Sequence, residues 1–357
     1  MDDASWIADL WAWAVASTLQ ATLLLGLAWI ADRLLVRRVW PQLLLLLWLL
    51  ALARFFLPPG LGSPLSVTAA LGAPTLAAAE LVPGSNVLEL ALALWLAGAL
   101  GLVALRAARR ARLRSRVELV RPAREWLAAL ELARRLVGPR RRPRIGTLGG
   151  LETPAVFGLF RPTLLLPRSW LERAPRLHDE HALLHELAHL RRRDLWLDEL
   201  CALVRALLWF HPLVWLATER IHALGELACD QTVARALGGA ARQYRDTLVL
   251  AARPLLGRPA AGGLRAFLGH PNAMLVRIER LERSGVQPLA LVRGASAALA
   301  CVLAACVLPM APDSAALRAQ ARALFAAERS GERQSCFSLQ AAALVLAADP
   351  LRPDSRH

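Results

Sequence analysis

Residues 185–189 read His185-Glu186-Leu187-Ala188-His189. Side chains four apart share one face of a helix, so two imidazoles at this spacing can converge on a single metal ion. The apolar background of the segment favours that helix. Glu186 lies one step round, placed to reach a water polarised by the ion rather than the ion itself. Zinc lowers the pKa of such a water towards neutrality, and a carboxylate can take its proton and later deliver it to a leaving amine. The chemistry indicated is peptide-bond hydrolysis. A catalytic zinc keeps three protein ligands and one open position. Downstream, Gly225-Glu226-Leu227-Ala228-Cys229-Asp230 supplies a third ligand in Glu226, with Asp230 one turn on as a hydrogen-bond support for a ligand histidine. His181, one turn before His185, is read as a supporting or packing residue, and His178 as part of the helix's first turn. Asp194 has two readings, a partner for Arg191–Arg193 or a buttress for the zinc helix. For stabilising the oxyanion, His222, Arg220 and Tyr244, the chain's one Tyr, are the candidates.

The elements that must position these residues include membrane segments. Apolar residues make up 56% of the 357 residues, and the mean hydropathy of +0.40 is high for a soluble globular chain. The excess is gathered into blocks at about 6–30, 40–57, 87–105 and 289–310, each expected to cross a bilayer. The first opens Met1-Asp2-Asp3 and lacks the basic start of a cleaved signal peptide. The formal charge is +15, and all 43 basic residues are Arg. Fourteen of them, against three acids, lie between Arg106 and Arg144, directly after the third block. Arg beside a span marks its cytoplasmic flank. With neither a recognition helix nor a zinc-finger pattern, the basicity is assigned to a membrane surface and not to nucleic acid.

That rule places the N-terminus outside, 31–39 inside, 58–86 outside, 106–288 inside and the tail 311–357 outside. The apolar run Leu195–Ala217 carries Asp198, Glu199 and Arg205, which a lipid-exposed helix tolerates poorly. It is read as a buried or membrane-apposed helix of the inner domain. Within that domain Glu125–Val137 predicts an amphipathic helix. Residues 143–167, with Gly146, Gly149 and Gly150 among short β-prone runs, predict two or three strands with turns. The five cysteines have no paired metal spacing and are read as packing residues in a reducing setting.

Several segments occur together in order: HELAHLRRRD from His185, Phe210-His211-Pro212-Leu213-Val214-Trp215, and GELACD from Gly225. With Thr153–Pro162, Leu164–Pro167 and the Arg277-Ile278 segment, they resemble the BlaR/MecR family of membrane metalloproteases over about residues 5–310. The resemblance implies an α-helical integral membrane protein with about four transmembrane helices. Its cytoplasmic domain is then an α-rich (α+β), gluzincin-like zinc protease with a small β element. It implies His185, His189 and Glu226 as zinc ligands, Glu186 as the catalytic acid/base and Asp230 as support for a ligand. The implied setting is the bacterial inner membrane, and the implied role is a regulated cut in a cytoplasmic winged-helix repressor, with self-cleavage near Arg283-Ser284-Gly285 as a further expectation. The expected partners are that protein substrate, membrane lipid and a second copy of the chain in a homodimer. One departure matters. Family members that sense β-lactams carry a penicillin-binding domain with an acylatable Ser and a Lys, and this sequence contains no Lys, so an S-x-x-K sensor site is not expected. Two rivals are a membrane quality-control protease of the HtpX type and a non-enzymatic signalling scaffold with structural zinc. The second leaves Glu186 without a purpose.

Overall fold

Proline-free apolar blocks form helices because every backbone donor and acceptor is then satisfied within the segment. The computed structural model describes residues 3–36, 39–57, 85–139, 141–252 and 273–283. Helix α1 covers Asp3–Leu35, α2 Pro41–Ala53 and α3 Ser85–Arg116. Among the described residues two stretches are long and apolar enough to cross a membrane, Ser17–Leu35 in α1 and Asn86–Arg116 in α3. The second block departs from expectation. α2 has 13 residues, rising about 20 Å, and continues only as a 3₁₀ turn, Arg54–Phe56. That is short of a hydrocarbon core of about 30 Å. The expected span 289–310 and tail 311–357 lie outside the described residues, as do Ser284 and Gly285.

A small sheet follows α3. Its strands are β1 (Glu118–Leu119), β2 (Arg144–Thr147), β3 (Ala155–Phe157) and β4 (Thr163–Leu165), in the order β1-β2-β4-β3. β2 and β4 are parallel, and the other two pairs are antiparallel. Three of these strands fall where Gly and β-prone residues alternate. β1 is too short to show a period. Gly158 closes the β3–β4 turn at φ +95°, where a Cβ would sit 2.7 Å from the Arg161 carbonyl oxygen. Between β1 and β2 lies α4 (Arg124–Val137), burying Trp126, Ala129, Leu130, Ala133 and Val137 on one stripe and ending at Gly138 with φ 69°.

The remaining helices are α5 (Arg168–Leu171), α6 (Leu177–Arg192), α7 (Asp194–Leu207), α8 (Pro212–Leu237), α9 (Ala241–Ala252) and α10 (Ala273–Arg283). The run Leu195–Ala217, expected as one helix, is two. Pro212 cannot donate to the preceding turn and disfavours a helical residue before it, so α7 stops and α8 starts at this Pro. The turn between them packs against the middles of the long apolar helices. His211 Nε2 lies 2.9 Å from Thr22 Oγ1 of α1, and the Trp95 indole of α3 donates to the Leu207 carbonyl at 2.6 Å. A Cβ on Gly98 would lie 2.5 Å from the Trp209 ring, so α3 meets this turn where it has no side chain.

Two hydrophobic cores result, and α8 threads both. Val214, Ala217, Ile221 and Leu224 join α1, α2 and α7, including Leu25, Trp48 and Val204. Further along, Cys229 and Val233 join α4, β4, α6 and α9, including Trp126, Leu164, Leu187 and Tyr244. A buried ion pair, Arg220 Nε to Asp32 Oδ2 at 2.6 Å, ties the first half of α8 to α1.

Candidate active site

Helix α6 buries Leu183, Leu184, Leu187 and Ala188 in the second core, which turns His185, Glu186 and His189 towards α8. Its first turn is fixed by Asp179, fully buried, which accepts from the Arg176 backbone N–H at 2.8 Å and from Arg173 Nη2 at 3.0 Å. Burial pushes that carboxyl up, but the Arg173 guanidinium and the Arg176 N–H outweigh it and hold it below the usual carboxylate range.

His185, His189 and Glu226 meet at one point. The two Nε2 atoms are 3.2 Å apart, Glu226 Oε2 is 3.1 Å from His185 Nε2, and Glu226 Oε1 is 3.4 Å from His189 Nε2. Tetrahedral ligands at metal bond lengths of 2.0–2.1 Å lie about 3.3 Å from one another. The donor set therefore fits a divalent ion of zinc's size. The other ring nitrogens are engaged behind it. His185 Nδ1 lies 3.1 Å from the Tyr244 hydroxyl and 3.3 Å from Asp230 Oδ1, while His189 Nδ1 lies 2.8 Å from Asp194 Oδ2. With a metal in place, protons on both Nδ1 atoms would leave both Nε2 lone pairs facing the ion.

Charge reinforces the geometry. Glu186, Asp194, Glu226 and Asp230 converge on the two imidazoles. Burial depresses the affinity of both rings for a proton, yet Asp230 and Glu226 outweigh it at His185, and Asp194, Cys229 and Glu226 at His189, so both are raised. Burial would raise the Glu226 carboxyl, but the two histidines hold it well below its usual range. The point where the Nε2 atoms meet is thus one that draws positive charge.

Glu186 is placed differently. Its carboxylate lies with the donor atoms of His185 and His189 within a 4.8 Å group. The Val156 backbone N–H of β3 is close enough to favour its charged form. Burial pushes its carboxyl above the usual range, with the charge of Glu226 adding and the two histidines and the Val156 N–H opposing. A carboxyl raised in this way holds a proton more readily than a free glutamate, which suits a group that exchanges protons with a neighbouring water.

Asp194 resolves the two readings by meeting both: it reaches Arg192 Nε at 3.2 Å as well as His189. His181 packs rather than coordinates, its Nδ1 2.7 Å from Thr247 Oγ1 and its ring edge-on to Tyr244. His178 is half-exposed in the first turn of α6 beside Asp179. Of the residues expected to stabilise an oxyanion, none faces the open side of the group. Tyr244 is 1% exposed and donates to Asp230 Oδ1 at 2.6 Å, so it stands behind His185. His222 turns to α7, with Nδ1 2.9 Å from Asp198 Oδ1, and Arg220 is committed to Asp32.

Two contributors went unassigned from sequence. Arg277 of α10 grips Asp230 through Nε at 2.7 Å and Nη2 at 2.8 Å, and its Nη1 reaches Glu226 Oε2 at 3.2 Å. Burial would raise the Asp230 carboxyl, but Arg277 and His185 hold it at about 2. The Cys229 thiol lies 3.2 Å from Asp194 Oδ2 and 3.3 Å from His189 Nδ1, and burial pushes it up to about 12, so it stays neutral. Arg277 lies 47 residues beyond Asp230 with no spacing rule to join them. Cys229 sat inside the recognised segment but reads there as a packing residue.

Two histidines and a glutamate converging on a cation site, with a further buried glutamate alongside, are the parts of a metal-dependent hydrolase. The chain matches the BlaR1 peptidase M56 family over residues 12–257, more than half its length, and belongs to that family. It is 31% identical over 87 residues to the regulatory protein BlaR1 of Bacillus licheniformis, a match covering 24% of this chain and 14% of that protein. The methicillin resistance protein MecR1 of Staphylococcus aureus is 29% identical over 87 residues, covering 24% of this chain and 15% of the relative. The matched segment is thus a small part of each relative's length.

Proposed function

We propose that the chain is a zinc metalloendopeptidase of the bacterial cytoplasmic membrane, facing the cytoplasm, that cuts a winged-helix transcriptional repressor when a signal arrives. The observation that carries the enzymatic part is the meeting of His185 Nε2, His189 Nε2 and Glu226 at 3.1–3.4 Å with Glu186 beside them. Zinc, when bound, polarises the attacking water and the scissile carbonyl. His185, His189 and Glu226 would hold it, with Asp230, Asp194, Tyr244 and Arg277 fixing the ligands' orientation. Glu186 takes the proton from the water and hands it to the departing amine nitrogen. The edge strand β3 faces this site through Val156, and an extended substrate can add to such an edge by backbone hydrogen bonds. Membership of the family and likeness to regulatory and resistance proteins support the signalling role. The chain itself, before its last apolar block, is a second substrate on this reading.

Co-expression with a winged-helix repressor encoded beside the gene tests the substrate assignment. Defined repressor fragments are expected with the wild-type chain and none with Glu186→Ala. An intact repressor beside a chain that cleaves other proteins would refute it.

A further inference from the structure

We infer that the cleft between α3 and the α7–α8 pair is a binding site for an anionic phospholipid, its phosphate held by Arg109 and Arg110. The cleft has a volume of about 450 Å³ and is separate from the metal-ligand group. Its walls are ordered along α3. Leu102 and Leu105 line one end, then Arg106, Arg109 and Arg110, with Leu113 past them, and across the cleft Arg205 lies over the Trp215 ring at 5.0 Å. Beyond the apolar end, α3 continues with Leu90, Leu94 and Leu100 turned outward, each about 60% exposed or more. Beyond the basic end come Arg112, Arg114 and Arg116, all exposed. The cleft therefore sits where the apolar face of α3 becomes basic. From Leu102 to Arg110 the α3 wall passes from hydrocarbon to guanidinium, in the order a phospholipid passes from acyl chain to phosphate.

The charge there is not balanced internally. Arg106 and Arg110 share the single carboxylate of Glu199, and Asp198, the one acid lining the cleft, has its Oδ1 2.9 Å from His222 Nδ1. Arg205 donates to Thr218 and stands 3.9 Å from Glu219. Arg109 is exposed and forms no ion pair with a carboxylate among the described residues. Basic pockets beside a span on its basic side select anionic headgroups. A free phosphate would satisfy the guanidinium groups but would leave Leu102, Leu105 and the outward leucines uncovered, so the apolar wall favours the lipid. The inference rests on α3 crossing the membrane and does not depend on catalysis.

The full chain, delipidated in detergent, can be titrated with dioleoyl phosphatidylglycerol or dioleoyl phosphatidylcholine and bound lipid counted by native mass spectrometry. At least tenfold tighter binding of phosphatidylglycerol is expected. Arg109→Glu should bring the two lipids within about twofold. Arg109→Gln, which removes only an exposed charge, should weaken the preference without changing the unfolding temperature. Inorganic phosphate at millimolar concentration should not displace the lipid. Equal binding of both lipids, a preference unchanged in both variants, or displacement by phosphate would each overturn the assignment.

Discussion

On the proposed reading, His185 and His189 each use their two ring nitrogens for different tasks, and the residues behind them decide how well the site would hold a metal. Asp230 and Tyr244 stand behind His185, Asp194 behind His189, and Arg277 fixes Asp230 and Glu226 together. Removing such a support costs about 10–100-fold in metal affinity. Arg277→Ala should show that loss in a chelator competition while leaving the three donors in place, and an unchanged affinity would remove Arg277 from the account. The convergence of His185 and His189 was legible because a helix converts a spacing of four into a shared face; Glu186 stands one step round, and Glu226 was read from the separate Gly225–Asp230 segment. Arg277 was not, since its partners are distant in sequence and an Arg in a basic chain carries no signal of its own. Tyr244 and His222 were legible as chemical types only. Burial behind His185 and pairing with Asp198 are facts of packing, which type does not carry.

At the scale of elements, α6 is placed by its buried leucines and pinned at its start by Asp179. A carboxylate held below its unfolded pKa stabilises the fold fully above that unfolded value of about 3.9, and the contribution fades as pH falls through the lower folded value. Asp179→Asn should therefore cost roughly 1–3 kcal/mol at neutral pH. The gap from wild type, read from thermal unfolding in detergent, should narrow below about pH 4. A gap that widens on acidification would contradict the assignment. Sequence pattern conveyed α4 and three of the four strands, because a 3.6-residue stripe and Gly-bounded β-prone runs are local. It did not convey β1, two residues long, or the division of Leu195–Ala217. There a continuous apolar run outweighed the one residue, Pro212, that breaks it.

Across the whole molecule, α8 is the shared beam: its first half lies in the core with α1 and α2, and its second half carries Glu226 into the site. The buried Arg220–Asp32 pair is the polar tie within that packing. Arg220→Ala would strand Asp32, which is 1% exposed, at a cost of about 3–5 kcal/mol. Pairing Arg220→Met with Asp32→Leu should recover most of it, because two buried charges are then removed together. Thermal unfolding of the three proteins checks this, and a double variant no more stable than Arg220→Ala would show that the tie is not electrostatic. This long-range pairing had no signature in the sequence beyond charges set in apolar runs.

The central claim is that His185, His189 and Glu226 hold a zinc on which Glu186 works. Metal analysis and peptide hydrolysis on the same preparations of wild type and Glu186→Gln test it most directly. One zinc per chain is predicted in both, with hydrolysis lower by about 10²–10⁴-fold in the variant. A zinc-loaded Glu186→Gln protein that cleaves at the wild-type rate would contradict the account.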